Sequence, residues 1–241
     1  MMTSALTQAA AFRNKILRGL PREKYQLLFS NIKLVSLTAH QVLYHPEDEI
    51  RSVYFINNGM ASLLSTTTEG DSIEVGNVGN AGMVDVPVIL RQARTPYHIV
   101  VRVPGDAWMV STEILKQEFE KPGELKDRLL AYHHALTTYI SQLGVCNHFH
   151  TLDKRLCRWL LIASYWVESE TFQLTHEALS QELGTGRTGI TMAANRLQKS
   201  GLIRYYRGRI TILDHAGMET TSCACYKISK EIFDHLSGSH S

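Results

Sequence analysis

Between Leu183 and Leu213 the chain carries six basic residues, Arg187, Arg196, Lys199, Arg204, Arg207 and Arg209, and no acid. Cations gathered without counter-charge suit a polyanion, and a nucleic-acid backbone is the usual one. Immediately upstream, Leu174-Thr175-His176-Glu177-Ala178-Leu179-Ser180-Gln181-Glu182-Leu183-Gly184 reads as a short helix closed by glycine. Residues Thr185 to Leu197 read as a second helix with a polar entrance. Two helices joined by a tight glycine turn form the pattern of a helix-turn-helix. Further on, the runs Leu202–Tyr206 and Arg209–Leu213 flank Arg207-Gly208, which suits a two-residue hairpin turn with positive φ at glycine. A hairpin after a helix-turn-helix makes a winged helix, and Asp214 caps a helical tail behind it. The expected partner is double-stranded DNA.

Other chemistry finds less support. The four cysteines, Cys146, Cys157, Cys223 and Cys225, read as reduced thiols, since no export signal precedes them. Cys146 could pair with its twin across a dimer seam, and Cys223 and Cys225 could sense oxidants. The more common role of such residues is small-volume packing. A metalloenzyme of the cupin type needs two or three histidines and a carboxylate converging inside a barrel. Within Ile32–Ser111 the histidines are His40, His45 and His98, with no His-x-His pair. No serine, cysteine or P-loop motif supports catalysis either. No catalytic residue, metal or cofactor is therefore assigned. Haem is the one cofactor alternative, through His98, His133, His134, His148 or His150, and none of their spacings is diagnostic.

The elements that must carry the basic unit follow from patterning. The chain has 241 residues, 44% of them hydrophobic and 20% charged, so a sizeable core is expected. Net charge is only +2, but its distribution is uneven: residues 1–150 hold 14 basic and 14 acidic side chains, residues 151–241 hold 11 and 9. Residues 1–20 read as a loose or helical lead-in with Phe12, Ile16 and Leu17 on a weak apolar face. From Ile32 to Ser111 the period is two. The strand-like runs are Leu34–Leu37, Val42–Tyr44, Val53–Ile56, Ala61–Ser65, Ile73–Val78, Tyr97–Val103 and Ala107–Val110. Turn signals punctuate them, including Asn57-Asn58-Gly59 and Pro104-Gly105-Asp106, and many short strands so spaced predict a β-roll of the jelly-roll kind.

From Glu124 to His150 the period changes. Leu125, Leu129, Tyr132, Leu136, Tyr139, Leu143 and Cys146 are spaced 4-3-4-3-4-3, a heptad stripe that predicts a parallel homodimer seam on a helix of about 40 Å. Thr151 caps the next helix, and the break at His148–Thr151 reads as a hinge. The predicted class is α+β. It comprises a β-roll sensor-type domain over 1–122, a dimerisation helix over 123–150, and a winged helix-turn-helix with its tail over 151–241. No apolar run is long enough to span a bilayer, so a cytoplasmic protein is expected.

That order of parts resembles the cyclic-AMP receptor / fumarate-nitrate-reduction regulator (CRP/FNR) superfamily over essentially the whole chain. The string that carries the resemblance is Leu174-Thr175-x-Glu177-x-Leu179-Ser180-x-x-Leu183-Gly184-x-x-Arg187-x5-Ala193-x3-Leu197-x-Lys199-x-Gly201-Leu202-Ile203, with Tyr54-Phe55-Ile56-x2-Gly59 in the β-roll. The tail Cys223-Ala224-Cys225-Tyr226 is similar to a branch of the superfamily with no characterised effector. The resemblance implies a homodimeric bacterial regulator on a palindromic operator, with RNA polymerase as a further partner. By the same resemblance Arg187, Thr188 and Met192 point at base edges, with Thr191 beside them. Arg187 would take guanine O6 and N7 bidentately. Thr185, Gly186, Arg204, Tyr206, Arg207 and Arg209 would touch the DNA backbone. Thr188 stands where the family has a glutamate and Met192 where it has a second arginine, so the family's best-known operator does not carry over.

The family's cyclic-nucleotide pocket needs Gly-Glu-Leu and then Arg-Ser/Thr-Ala. Here the first element reads Met83-Val84-Asp85-Val86, and Tyr97-His98-Ile99 occupies the phosphate-binding position. Arg94 falls three residues early, which would turn it to the other face of a strand. Control by cyclic AMP is therefore not expected. Met83, Asp85, Tyr97 and His98 remain a candidate pocket for an unknown small-molecule effector. No cysteine precedes Cys146, which excludes the N-terminal iron–sulfur cluster found in the family.

Overall fold

The computed structural model describes residues 12–237, so positions 1–11 of the expected lead-in and the last four residues lie outside the described part. Residues 12–20 form turns rather than a regular helix, with Ile16 and Leu17 buried. Phe12 packs on Phe29 and Trp108, and the Asn14 amide donates to the carbonyls of Ile56 and Gly82, both at 2.8 Å. A short helix α1 (Gln26–Asn31) precedes a six-stranded antiparallel sheet. Its strands are β1 (Lys33–Leu37), β2 (Val42–Tyr44), β3 (Ser52–Thr66), β4 (Ser72–Val78), β5 (Met83–Val84) and β6 (His98–Ser111). The order runs β1-β6-β3-β4, with β2 also on β6 and β5 also on β3.

Two expected turns are interior bends of long strands. Asn57-Asn58-Gly59 lies inside β3 and Pro104-Gly105-Asp106 inside β6, where the pairing shifts register. The two bends face each other across the ladder. A Cβ on Gly59, at φ +90°, would lie 2.6 Å from the Val103 carbonyl oxygen, and one on Gly105 would lie 2.2 Å from that of Asn58. The glycines let two strands bulge at the same level without parting, so turn residues here signal curvature.

Helix α2 (Thr112–Glu120) leads to α3 (Glu124–Phe149), whose 26 residues make a rod of about 40 Å. The heptad stripe on α3 is not a seam. Leu125, Leu129, Tyr132, Leu136, Tyr139, Leu143 and Cys146 are all buried within the single chain, between 0% and 6% exposed. The β-roll covers them on one side and the tail helix α8 (Cys225–Asp234) on the other. Phe233 of α8 packs at 6.5 Å from Tyr132 and 5.4 Å from Tyr139, and Trp166 meets it at 4.7 Å. The expected dimer-interface residues are thus core residues. What α3 leaves to solvent is the opposite face, with Leu130, His134, Thr137, Ser141, Gly144 and Val145.

The helix breaks at His150 and Thr151, both extended, within the segment His148–Thr151. Helix α4 (Leu152–Val167) follows, then β7 (Thr171–Gln173), α5 (His176–Glu182), α6 (Arg187–Lys199), the hairpin β8 (Ile203–Tyr206) and β9 (Arg209–Ile212), α7 (His215–Thr221) and α8. Strand β7 pairs with β9 and widens the wing to three strands. Three residues are too short a run to register in the sequence. Among the described residues no helix is long and apolar enough to cross a membrane.

Candidate nucleic-acid interface

Local chemistry builds the helix-turn-helix. The Thr175 hydroxyl caps α5 by accepting from the Ala178 amide at 3.1 Å. Gly184 turns the chain in the left-handed region at φ +54°, and Gly186 leads into α6. Leu179, Leu183, Ile190, Ala193, Ala194 and Leu197 close the unit's core, so one face of α6 is fixed inward. Its other face presents Arg187, Thr188 and Met192 to solvent, Met192 at 56% exposure.

Thr191 does not join them. Its hydroxyl donates to the Arg187 carbonyl at 3.0 Å and lies 3.0 Å from Nδ1 of His176. The oxygen is engaged inside the unit, leaving only the methyl for a base. His176 in turn stacks on Tyr205 at 4.3 Å, and burial first, then the Arg187 charge, lower its pKa below the ordinary histidine value. Arg196 is also withdrawn, because its guanidinium clasps Asp153 of α4 at 2.7 and 2.5 Å.

The wing matches its expectation closely. Arg207 and Gly208 both have positive φ, +47° and +75°, the geometry of a type I′ two-residue hairpin. Arg204, Tyr206, Arg207 and Arg209 are exposed, and the Arg207 guanidinium sits 5.2 Å from the Tyr206 ring centre. Thr185 and Gly186 lie at the entrance of α6, the first half-buried and the second exposed. The Asp214 carboxylate caps α7 by accepting from the Gly217 amide at 2.9 Å.

Sequence reasoning missed a polar junction behind this surface. Arg102 of β6 is paired with Glu182 of α5, both buried, and Arg102 Nη2 donates to Gln181 Oε1 at 2.9 Å. Glu74 of β4 accepts from Trp159 Nε1 at 2.7 Å, from Asn77 Nδ2 at 3.2 Å and from the Ser62 hydroxyl at 3.3 Å. Burial, and next the charge of Glu74, raise Glu182 well above the usual carboxylate range. Trp166 Nε1 donates to Asn77 Oδ1 at 2.7 Å, and Arg155 Nη2 donates to the Leu183 carbonyl at 2.5 Å. The helix-turn-helix is thus bolted to the β-roll by side chains from segments far apart in the chain, and a separation of that kind leaves no periodic trace.

The candidate effector residues divide into two groups. Asp85 is buried in a left-handed turn, with Tyr44, Tyr54 and Thr95 around it, and neither carboxyl oxygen has a hydrogen bond by distance and angle. Burial pushes its pKa up to about 7. Met83 is buried and pairs with Phe55. Tyr97 and His98 are half-buried, and His98 stacks on His45 at 5.1 Å. Arg94 is exposed and spends its guanidinium on the Glu47 carbonyl, while Arg102 is committed to Glu182.

A family model for the cyclic nucleotide-binding domain matches residues 34–121, and one for the Crp-like helix-turn-helix domain matches residues 154–221. The global nitrogen regulator of Synechococcus elongatus is 23% identical over 186 residues, which cover 72% of this chain and 82% of that protein. A CRP-family transcriptional regulator of Thermus thermophilus superposes with a TM-score of 0.65 at 15% identity, covering 78% of this chain and 96% of the other. The global regulator CLP of Xanthomonas campestris, described as responsive to c-di-GMP, superposes at 0.59 with 14% identity, covering 80% and 100%. A β-roll followed by a long helix and a winged helix-turn-helix defines a transcription regulator with a sensor-type domain. The chain belongs to the CRP/FNR family of such regulators.

Proposed function

We propose that the chain is a sequence-specific regulator that binds a palindromic operator as a homodimer, without catalysis and without control by cyclic AMP. The observation that carries this reading is the solvent face of α6, where Arg187, Thr188 and Met192 stand clear above a wing of exposed Arg204, Arg207 and Arg209. Arg187 reads guanine, Met192 makes an apolar contact such as that with a thymine methyl, and the wing arginines with Thr185, Gly186 and Tyr206 hold phosphates. Two copies related by a two-fold axis place these helices about 34 Å apart, one turn of duplex. The exposed face of α3 is the surface that brings them together, in place of the buried stripe.

Absence of cyclic-AMP control is supported by charge. A cyclic phosphate needs a guanidinium, and the two arginines nearest in sequence to the Tyr97-His98 segment are engaged elsewhere. A second reading, a different small ligand in the β-roll, is favoured by Asp85, a buried carboxyl to which a ligand could bring a hydrogen-bond donor. Selection of bound sequences from a random duplex pool tests the first reading. Arg187→Ala should weaken the selected operator by about 1–3 kcal/mol and relax the choice at one base pair per half-site, while added cyclic AMP leaves affinity unchanged. Equal weakening on every sequence would make Arg187 a phosphate contact, and no binding to any duplex at low salt would sink the proposal.

A further inference from the structure

Four potential metal ligands meet where the end of α3 touches the tail. Cys146 lies in the last turn of α3 and His150 caps that helix, an i, i+4 pair on one face. Cys223 precedes α8 and Cys225 opens it. The Cys146 and Cys223 sulfurs are 3.5 Å apart, Cys225 Sγ is 3.6 Å from His150 Nδ1, and all four donor atoms lie within 4.8 Å of one another. Three of the four residues are buried and His150 is half-buried.

We propose that Cys146, His150, Cys223 and Cys225 form a mononuclear site for a thiophilic divalent cation, zinc first, that staples the end of α3 to the tail helix. Tetrahedral zinc with bonds of about 2.3 Å to sulfur and 2.0 Å to nitrogen sets its ligand atoms roughly 3.5–3.8 Å apart, close to the two distances above. The donor set of three soft sulfurs and one imidazole favours zinc over magnesium or calcium. Donors this close together are too tightly gathered for an iron–sulfur cluster, whose cysteines must reach around several irons and bridging sulfides. Binding releases the protons that the thiols hold and leaves a site with net charge −1 from three thiolates and Zn²⁺.

An independent observation supplies the counter-charge. Arg158 of α4 is 1% exposed, its Nε and Nη1 have no hydrogen-bond partner, and the groups that act on its charge are Tyr139, Cys146, Glu74 and Cys223. A buried guanidinium with two nitrogens unsatisfied is costly, and an anionic metal centre beside it adds to the charge that Glu74 supplies. Arg155, also close enough to both cysteines to feel their charge, adds to the same field. A metal here would hold the hinge at His148–Thr151 in place, since Cys146 lies just upstream of it, His150 lies within it, and the tail that brings the other two ligands packs on α4.

The test uses the full-length reduced chain. After incubation with zinc sulfate and dialysis against a weak chelator, elemental mass spectrometry should find one zinc per chain. Cobalt(II) should give the intense visible bands of a tetrahedral thiolate site together with sulfur-to-cobalt charge transfer. Cys223→Ser, Cys225→Ser and His150→Ala should each weaken binding by at least about 100-fold, beyond the loss typical of an outer ligand partner. Cys157→Ala, which removes the cysteine outside the cluster, should retain one zinc. The cobalt titration of the unaltered protein needs no variant to fold. The proposal is overturned if the unaltered chain, with its thiols shown to be reduced, takes up neither zinc nor cobalt. It is equally overturned if Cys225→Ser keeps full affinity, or if the chain isolated from cells carries a Cys146–Cys223 disulfide in place of metal.

Discussion

Asp85 offers a quantitative test because burial is the largest influence on its charge, opposed by Thr95. Its carboxyl sits in the β-roll without a hydrogen bond of good geometry, and desolvation lifts its pKa from 3.8 to about 7. In the unfolded chain the same group loses its proton near pH 4. The folded state therefore keeps a proton that the unfolded state has released, and stability falls as pH rises from about 4 through about 7. With 1.36 kcal/mol per unit, the loss between pH 4 and pH 8 is about 3–4 kcal/mol. The substitution Asp85→Asn removes the ionisable group, and asparagine tolerates the left-handed backbone that Asp85 adopts at φ +67°. Urea unfolding of the parent and of Asp85→Asn at pH 4 and pH 8 isolates the effect. The parent should lose about 3–4 kcal/mol more than the variant over that interval. If the two curves run parallel, burial does not govern this carboxyl. A small molecule that donates to Asp85 would show as a ligand-dependent recovery of the parent at pH 8.

Three further outcomes follow from the packing. Arg102→Met removes the guanidinium that binds Glu182 and Gln181 in a dry junction and should cost about 1–3 kcal/mol in urea unfolding at pH 8 through the hydrogen bonds left unmade, with Arg102→Met/Glu182→Met recovering most of it. A loss below about 1 kcal/mol in the single variant would mean the junction is held by something else. A Cβ at Gly79 would lie 2.4 Å from Trp166 Cγ, so Gly79→Ala should destabilise by about 1–3 kcal/mol, seen as a Tm lower by about 2–4 °C per kcal/mol; an unchanged Tm would show that Trp166 moves freely. Nothing lies within 4 Å of a Cβ at Gly144, so Gly144→Arg should leave the fold intact yet convert the proposed dimer to monomer in sedimentation. Persistence of the dimer would assign the subunit contact to another surface.

The winged unit was legible because its signals are local. Thr175, Gly184, Arg207-Gly208 and Asp214 each act on backbone within a few residues, and each falls where its turn or cap chemistry places it. The heptad stripe of α3 was legible as a buried face but not as to what buries it. A 4-3 spacing is the same whether the cover is a second copy or, as here, α8 and the β-roll. The interior bends at Gly59 and Gly105 misled for a related reason, since glycine serves a strand crossing as well as a turn. Arg102, Glu182 and Arg158 were invisible as a set because their partners come from distant segments. The four thiol and imidazole donors were named singly in the sequence, and only the folding of α8 back on α3 brings them to one point.

The placement of the indoles has a practical consequence. Of the three tryptophans, Trp159 and Trp166 both donate from α4 to acceptors on β4, Glu74 and Asn77, and Trp108 lies deep in the sheet. Any event that parts the reading head from the sensor must first strip those two rings of their hydrogen bonds and wet them. The protein thus carries a native optical gauge: emission that shifts to longer wavelength on adding an inducer, while the Trp108 signal holds, would register separation of the two halves without any attached dye.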